Sequence, residues 1–230
     1  MPLNPPAPAV LFDLDGTLVD SLPDLLWALN QLLGELGLRQ ARLDEVQGWV
    51  GDGVAMLVER ALAATRGRGE VGLDEGVLQQ AIAKFTAYYQ SHVAVESRLY
   101  PGVRAMLDQL RAQGYKLAVC TNKPTALAQE LLATLGVALY FTAVIGGDAV
   151  SRRKPHGEHI AATLAALGTE ARHSVMVGDS ANDVAAARAA GIPVLVVSFG
   201  YFSGPAQDLK ADGVIENFSQ LLQALGALLA

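Results

Sequence analysis

Short apolar runs alternate with amphipathic stretches along most of this chain. The first run, Ala9–Asp13, holds four consecutive apolar residues and ends on a carboxylate. Such runs are typical of parallel strands that are covered on both faces. Comparable runs lie at residues 116–120, 143–145, 174–177, 193–197 and 213–215. Because helical patterns separate these later runs, the sequence predicts an α/β fold with a doubly wound parallel sheet.

The stretch that follows the first run has a different pattern. A leucine repeat with three- and four-residue spacing begins after Ser21, which is a candidate N-cap, and ends near Gly37. Further helical patterns cover Val54–Thr65 and Leu73 to about His92. The glycine-rich residues 66–72 between them predict an exposed loop. This part of the chain is therefore expected to be helical, with no strand from Asp20 through Ser97.

The position of this helical block predicts a discontinuous core. We expect residues 1–19 and 98–230 to form a Rossmann-like core, and residues 20–97 to form a helical cap domain inserted after the first strand. The later helices are predicted at residues 103–113, 125–135, 158–167, 182–190 and 218–229.

Composition and charge restrict the partners of the protein. Of the 230 residues, 51% are hydrophobic and 17% are charged, and the net charge is −6. No basic block occurs, which argues against nucleic acid and anionic membranes as partners. No apolar run reaches the roughly 18 residues of a membrane span, and residues 1–8 do not resemble a secretory signal. The single cysteine, Cys120, excludes an intrachain disulfide. A cytoplasmic protein is expected, and its oligomeric state is left open.

Polar residues follow the predicted core strands at the points where these strands end. They are Asp13 and Asp15 after the first strand, Thr121, Asn122 and Lys123 after the second, Lys154 beyond the third, and Asp179 and Asp183 after the fourth. Ligands of open parallel sheets bind beyond the carboxyl ends of the strands. We therefore expect these side chains to converge on one edge of the sheet.

This set of side chains indicates phosphoryl transfer. Asp13 and Asp15 would repel each other in a dry crevice, and either a divalent cation or a shared proton would relieve the repulsion. Carboxylate oxygens suit Mg²⁺, which keeps water ligands that a substrate can replace. A lysine and a threonine hydroxyl can bind phosphate oxygens. Taken one at a time, the same residues also suit turns, helix caps or, for Lys154, a solvated surface.

Four motifs occur in a fixed order along the chain. They are Asp13-Leu14-Asp15-Gly16-Thr17, Thr121-Asn122, Lys154-Pro155 and Gly178-Asp179-Ser180-Ala181-Asn182-Asp183. With these motifs the sequence resembles, over essentially its whole length, the phosphatase branch of the haloacid dehalogenase-like hydrolases. Within that family, Val50–Gly53 and Leu57–Leu62 are similar to the bacterial phosphoglycolate phosphatases. One departure is His156-Gly157, since such enzymes often carry a further proline there.

The resemblance implies a mechanism. Asp13 would be the nucleophile that forms an aspartyl-phosphate, and Asp15 would protonate the leaving alkoxide and then activate water. Mg²⁺ would be held by the Asp13 and Asp179 carboxylates and by the backbone carbonyl of Asp15. Asp183 would lie behind them and orient a bound water or Lys154. The residues that would hold the transferring phosphoryl group are Thr121, Asn122 and Lys154. The implied substrate is a small phosphorylated metabolite, with 2-phosphoglycolate as the first choice.

The helical insertion resembles the family's small cap, which excludes solvent and selects the leaving group. The turn Gly48–Gly53 is the candidate loop that faces the site, and Gly51 is a candidate substrate-binding residue through its backbone. An ordinary turn between helices explains this stretch equally well. Arg60 is expected to be an ordinary exposed helix residue.

Three other functions remain open from the sequence. A sugar-phosphate phosphatase would have the same residues, and a phosphomutase of the β-phosphoglucomutase type shares the first motif and a similar cap. A non-enzymatic phospho-aspartate switch also combines acidic residues with Thr and Lys, although receiver domains are shorter and lack a helical insertion at this place. A dehalogenase is disfavoured because Asp15 supplies the acid–base group that phosphoryl chemistry needs.

Overall fold

A six-stranded parallel sheet forms the centre of the molecule. The computed structural model describes residues 7–66, 74–202 and 204–229. The strands in chain order are β1 (Ala9–Phe12), β2 (Val19–Asp20), β3 (Arg98–Leu99), β4 (Lys116–Cys120), β5 (Ala143–Ile145), β6 (Ser174–Gly178), β7 (Val194–Val197) and β8 (Gly213–Ile215). The order in the sheet is β5-β4-β1-β6-β7-β8, and every neighbouring pair is parallel. β1, which carries Asp13 at its end, is therefore a central strand.

Helices cover both faces of this sheet and also form the insertion. They are α1 (Leu22–Glu35), α2 (Leu43–Gln47), α3 (Val54–Thr65), α4 (Glu75–Ser91), α5 (Val103–Ala112), α6 (Thr125–Thr134), α7 (Gly157–Leu167), α8 (Ala181–Ala190) and α9 (Leu221–Leu228). None of the helices described is long and apolar enough to cross a membrane.

Alternate residues of β1 bury into two different cores. Val10 and Phe12 pack into the cluster formed with α5, α6 and α9, whereas Ala9 and Leu11 pack into the cluster formed with α7 and α8. All four side chains are fully buried. Because both faces of β1 are covered by helices, side chains on either face are buried, which explains the continuous apolar run. The prediction of a doubly wound α/β fold with a helical insertion after the first strand is confirmed.

The insertion, α1–α4, has a hydrophobic core of its own. Leucines of α1 pack against α3 and α4, and Leu29, Leu62 and Phe85 are fully buried among them. The leucine spacing places one apolar face of α1 toward these helices. Residues 67–73, on which the predicted loop and the predicted helix start at Leu73 fall, lie outside the described residues. The division of the chain at residues 19/20 and 97/98 stays a prediction.

Two short elements correct the sequence-based expectation of an insertion without strands. β2 pairs antiparallel with β3, so that Val19 faces Leu99 and Asp20 faces Arg98. The expectation that no strand occurs from Asp20 onward was therefore wrong by one residue. The five-residue helix α2 was not predicted either. Elements of two to five residues are too short to produce a readable periodicity, yet the β2–β3 ribbon is where the chain enters and leaves the insertion.

The start of α1 also differs from the prediction. Ser21 stands at the N-cap position, but its side chain makes no cap hydrogen bond. The Ser21 hydroxyl instead donates to Asp15 Oδ1 at 2.5 Å. The backbone N–H groups of Ser21 and Leu22 donate to the hydroxyl of Tyr201, at 2.7 and 3.0 Å. A residue from the far end of the chain therefore caps the first helix of the insertion.

Candidate active site

Asp13 leaves the end of β1 at the edge where the carboxyl ends of the strands meet. Its carboxylate is buried, and Lys154 Nζ lies 3.0 Å from Oδ1. This contact is an ion pair, and Oδ1 is otherwise a buried oxygen without a hydrogen-bond partner among the described residues. Burial raises the pKa of the Asp13 carboxyl to about 6, although the Lys154 charge acts in the opposite direction. Asp13 thus has an oxygen available for a ligand.

Asp183 is buried behind this pair and is saturated with hydrogen bonds. Its Oδ2 accepts from the Ser180 hydroxyl at 2.6 Å and from the backbone N–H groups of Ser180 and Asp179. Its Oδ1 lies 2.6 Å from Lys154 Nζ. The contacts with Ser180 form the capping box that starts α8. A Cβ at Gly178 would overlap the Asp183 carboxylate, so this glycine makes room for it. Asp183 therefore fixes Lys154 rather than offering a free oxygen.

Asp179 directly follows β6 and lies beside Asp13. Its Oδ1 accepts from the Thr17 hydroxyl at 3.2 Å, and its Oδ2 accepts from the backbone N–H of Tyr201 at 2.7 Å. Burial, reinforced by the negative charges of Asp13 and Asp183, raises the pKa of the Asp179 carboxyl well above its usual value. A Cβ at Gly16 or at Gly200 would overlap this side chain. Two glycines far apart in sequence are thus needed to admit one carboxylate.

The three carboxylates form a pocket that fits a divalent cation. One oxygen from each of Asp13, Asp179 and Asp183 lies within 4.8 Å of the others. The raised pKa values of Asp13 and Asp179 show that these anions are unfavourable together in a buried place. Asp183 pairs one oxygen with the Lys154 ammonium and accepts three hydrogen bonds at the other. Each oxygen of Asp179 accepts only one hydrogen bond from the described residues, and Asp13 Oδ1 accepts none, so these two carboxylates keep lone pairs for a ligand. Asp13 and Asp179 are therefore the side chains that could hold the ion.

Asp15 occupies a separate ion pair beside this pocket. Lys123 Nζ lies 3.1 Å from both of its carboxylate oxygens. The same ammonium lies 4.3 Å from the ring centroid of Tyr89 in α4. Burial alone would lower the pKa of Lys123, but the charge of Asp15 and the contact with Tyr89 outweigh it and raise the pKa. The sequence places Lys123 at a strand end but contains no signal that pairs it with Asp15 across 108 positions.

Asn122 joins two core loops to the insertion. Its side-chain amide donates to the backbone carbonyl of Lys154 at 3.0 Å and to that of Gly51 at 2.9 Å. Asn122 Oδ1 is buried and accepts no hydrogen bond from the described residues. The hydroxyl of its neighbour, Thr121, accepts from the backbone N–H of Lys123 at 3.2 Å. The loop that contains Gly51 is thus in contact with the core, as a substrate-facing loop requires.

Arg60 organises this loop instead of standing free in solvent. Its guanidinium donates to the Trp49 carbonyl at 2.9 Å and pairs with the Asp52 carboxylate. Asp52 in turn accepts from the Asn182 amide at 2.7 Å. The expectation that Arg60 is an ordinary exposed helix residue was wrong, because the side chain folds back over the preceding turn. The sequence alone does not distinguish a helix face in solvent from one that closes a loop.

A small cavity lies between the strand ends and the insertion. It encloses about 40 Å³, where a single water needs about 10–15 Å³ on the same measure. The core contributes its polar wall and the insertion contributes apolar side chains of α1 and α3. The lining residues are Asp13, Asp15, Leu25, Val50, Gly51, Gly53, Val54, Leu57, Thr121, Asn122 and Lys123. The predicted site residues that line this cavity are Asp13, Asp15, Thr121, Asn122 and Gly51. Lys154 lies outside the lining but contacts Asp13, and Asp179 lines a neighbouring cavity with Asp15 and Gly51.

A buried histidine that was missed from the sequence supports Lys154. His159 Nδ1 accepts from the backbone N–H of Lys154 at 3.2 Å, and Nε2 lies 3.1 Å from the Ile145 carbonyl, to which it donates. Burial lowers the pKa of His159 to about 4, so the ring is neutral at pH 7. With His156-Gly157 after Pro155, the structure keeps Lys154 beside Asp13.

Comparison with known proteins places the chain in a family. Residues 10–197 match the haloacid dehalogenase-like hydrolase family, and the chain belongs to it. A protein named phosphoglycolate phosphatase from Rhodospirillum rubrum is 46% identical over 221 residues, which are 95% of this chain and 90% of that protein. A protein of the same name from Agrobacterium fabrum is 40% identical over 225 residues, 98% of this chain and 95% of that protein.

A solved structure agrees with this assignment. The crystal structure of a predicted phosphoglycolate phosphatase from Haemophilus somnus 129pt is 36% identical to this chain. It superposes with a TM-score of 0.89 and covers 95% of this chain and 97% of that one. The family resemblance inferred from the four motifs is confirmed.

Proposed function

We propose that the protein is a Mg²⁺-dependent phosphatase that converts 2-phosphoglycolate to glycolate and phosphate through an aspartyl-phosphate on Asp13. The observation that carries this proposal is the buried cluster in which Asp13 touches Lys154, stands beside Asp179 and keeps one oxygen without a hydrogen bond. The names of the relatives support the choice of substrate.

The covalent steps use Asp13 and Asp15. A carboxylate oxygen of Asp13 attacks phosphorus, and the bond from phosphorus to the glycolate oxygen breaks. Asp15 enters the cycle in its protonated form and donates this proton to that oxygen as it leaves. Asp15 then removes a proton from water, which attacks phosphorus and releases phosphate and free Asp13. Lys123 and Ser21, which bind the Asp15 carboxylate, hold it at the cavity for both proton transfers.

The remaining residues bind charge. Asp13, Asp179 and the backbone carbonyl of Asp15 would hold Mg²⁺, which when bound neutralises the carboxylates and the phosphoryl oxygens. Lys154, with Thr121 and Asn122, would hold the transferring phosphoryl group. Asp183 keeps the Lys154 ammonium in place through the contact of 2.6 Å.

The size of the cavity supports a small leaving group. Its volume of about 40 Å³ has room for about three waters, and the loop at Gly51 is bound to the core by Asn122. Glycolate has far fewer heavy atoms than a hexose, so a space for a few waters favours 2-phosphoglycolate over sugar phosphates. Backbone groups near Gly51 are our candidates for contact with the substrate carboxylate.

A phosphate-release assay tests the proposal. The substrates are 2-phosphoglycolate, glucose 6-phosphate, β-glucose 1-phosphate and an aryl phosphate, each with Mg²⁺ and with chelator. We expect release from 2-phosphoglycolate with the highest kcat/KM, and none with chelator. A higher kcat/KM for a sugar phosphate, or isomerised sugar phosphate without released phosphate, would select one of the other enzymes. No release from any substrate would favour a phospho-aspartate switch.

Two variants test the nucleophile. Asp13→Asn keeps the shape of the side chain and is expected to abolish turnover with the fold intact by circular dichroism. Asp148→Asn is the matched control, because Asp148 also lies beyond a strand end but accepts its hydrogen bonds from Thr125, at 2.7–2.8 Å, outside the carboxylate cluster. It is expected to retain turnover. Activity of Asp13→Asn above one hundredth of the control would contradict the assignment.

A further inference from the structure

Tyr201 touches both the carboxylate cluster and the entrance to the insertion. Its backbone N–H donates to Asp179 Oδ2 at 2.7 Å. Its hydroxyl accepts from the N–H groups of Ser21 and Leu22, and donates to Asp20 Oδ1 at 2.8 Å. The hydroxyl thereby uses its proton and both lone pairs. Tyr201, in the loop after β7, thus contacts a candidate cation ligand through its backbone and the start of α1 through its hydroxyl.

The surroundings of Tyr201 leave it little freedom. The preceding residue, Gly200, has no space for a Cβ because Asp179 fills it, and a Cβ at Gly16 would lie only 2.9 Å from the Tyr201 ring. Burial raises the pKa of the phenol, so its proton stays available for Asp20. An aromatic side chain has few rotatable bonds, and a shift at its backbone is therefore transmitted to its hydroxyl.

We propose that Tyr201 is a positioning residue that couples cation binding at Asp179 to the orientation of the insertion at residues 20–22. The inference rests on the cation site of the proposed function. Asp179, if it held a cation, would be both a cation ligand and the acceptor of the Tyr201 N–H, and the hydroxyl of the same residue would pass a change at this acceptor to the first turn of α1. Coupling of this kind is reciprocal, so the position of the insertion also changes cation affinity.

Hydrogen exchange tests the coupling without substrate. The amides of Ser21 and Leu22 are followed by mass spectrometry in the full chain, with chelator and with saturating Mg²⁺ alone. In the natural sequence we expect Mg²⁺ to slow their exchange about tenfold, within the 5–150-fold range of typical couplings. Tyr201→Phe removes only the hydroxyl. It is expected to exchange rapidly at both amides in both conditions, and its half-saturating Mg²⁺ concentration should rise about fivefold.

A remote tyrosine provides the control. The Tyr140 hydroxyl donates to Asp108 at 2.5 Å on an exposed surface. Tyr140→Phe therefore deletes a tyrosine–aspartate hydrogen bond away from the site and should behave as the natural sequence. If Tyr201→Phe does not fold, Asp20→Asn is measured instead. It keeps the ring and the hydroxyl, weakens the anionic acceptor, and should reduce the Mg²⁺ effect at the same amides.

Steady-state kinetics separates positioning from stability. A role in folding alone would lower the active fraction, and so kcat, while KM stays constant. The coupling predicts that Tyr201→Phe raises KM about fivefold, with kcat within threefold of the natural protein, because an unpositioned cap weakens substrate binding. Mg²⁺ protection that persists in Tyr201→Phe would overturn the coupling.

Calorimetry with Mg²⁺ distinguishes a failure of the coupling from a failure of the cation site. Binding without protection of Ser21 and Leu22 overturns the coupling alone. No binding overturns the cation site and the coupling together. A wrong substrate assignment leaves the exchange result unchanged, because the measurement contains no substrate.

Discussion

Replacing Lys154 by methionine tests the electrostatics of the site most directly. Lys154 Nζ is buried within 3.0 Å of Asp13 and 2.6 Å of Asp183. Methionine has a similar length and keeps most of the apolar contacts, so the substitution mainly removes one positive charge from a cluster of three carboxylates. Removing one partner of a buried ion pair usually costs about 3–5 kcal/mol. We expect a loss of that size in the free energy of unfolding with chelator present.

The assay is urea denaturation of Lys154→Met followed by far-ultraviolet circular dichroism, with chelator and with Mg²⁺. Circular dichroism is preferred because Trp27 and Trp49 both lie in the insertion and would report on it alone. Saturating Mg²⁺ should restore part of the lost stability, since it replaces the missing charge. Turnover should fall at least about 100-fold, the usual effect of removing one charge-stabilising donor.

Lys116→Met is the matched control for this experiment. Lys116 Nζ donates to the carbonyls of Leu167 and Gly168, at 2.9 and 3.1 Å, at the opposite end of the sheet. Its replacement removes hydrogen bonds but leaves no buried carboxylate unpaired, so we expect a loss of about 1 kcal/mol and normal turnover. The reasoning would be refuted if Lys154→Met lost no more stability than Lys116→Met.

Two further variants follow from the packing of the site. At Gly16, with φ 82°, alanine would place a Cβ against the Asp179 carboxylate, so Gly16→Ala should weaken Mg²⁺ binding in calorimetry at least about tenfold. Gly37 has a similar φ of 68° but open space around it, so Gly37→Ala should only lower the free energy of unfolding by about 1 kcal/mol. His159→Asn retains an acceptor for the Lys154 N–H but does not titrate. Because the pKa of His159 falls from 6.5 to about 4 on folding, its contribution to stability is complete above pH 6.5 and is lost as the pH falls to 4. In urea denaturation, the difference in the free energy of unfolding between the natural protein and His159→Asn should therefore shrink by about 3 kcal/mol between pH 7 and pH 4. A difference that does not change with pH would show that the ring is not kept neutral.

The local pattern of apolar and polar residues was sufficient to predict most of the fold. The bounds of β4, β5, β8 and α3 agree with their predicted residues, because each is a run of apolar or amphipathic residues ended by glycine, proline or a polar turn. Parallel topology follows from the alternation of strands and helices. It also brings the ends of β1, β4 and β6 to one edge, and so the sequence by itself assembled Asp13, Thr121, Asn122 and Asp179 as candidates.

Only the tertiary structure decided which of these groups contact each other. The pair of Lys123 with Asp15 spans 108 positions, and the capping of Ser21 by Tyr201 spans 180. Neither leaves a local periodicity, because a hydrogen bond between distant segments depends on the packing of whole elements. The same holds for Gly16 and Gly200, which lack side chains and so leave space for the Asp179 carboxylate. The amino-acid sequence determined the elements and their order, and their packing determined the charges, caps and clearances around Asp13.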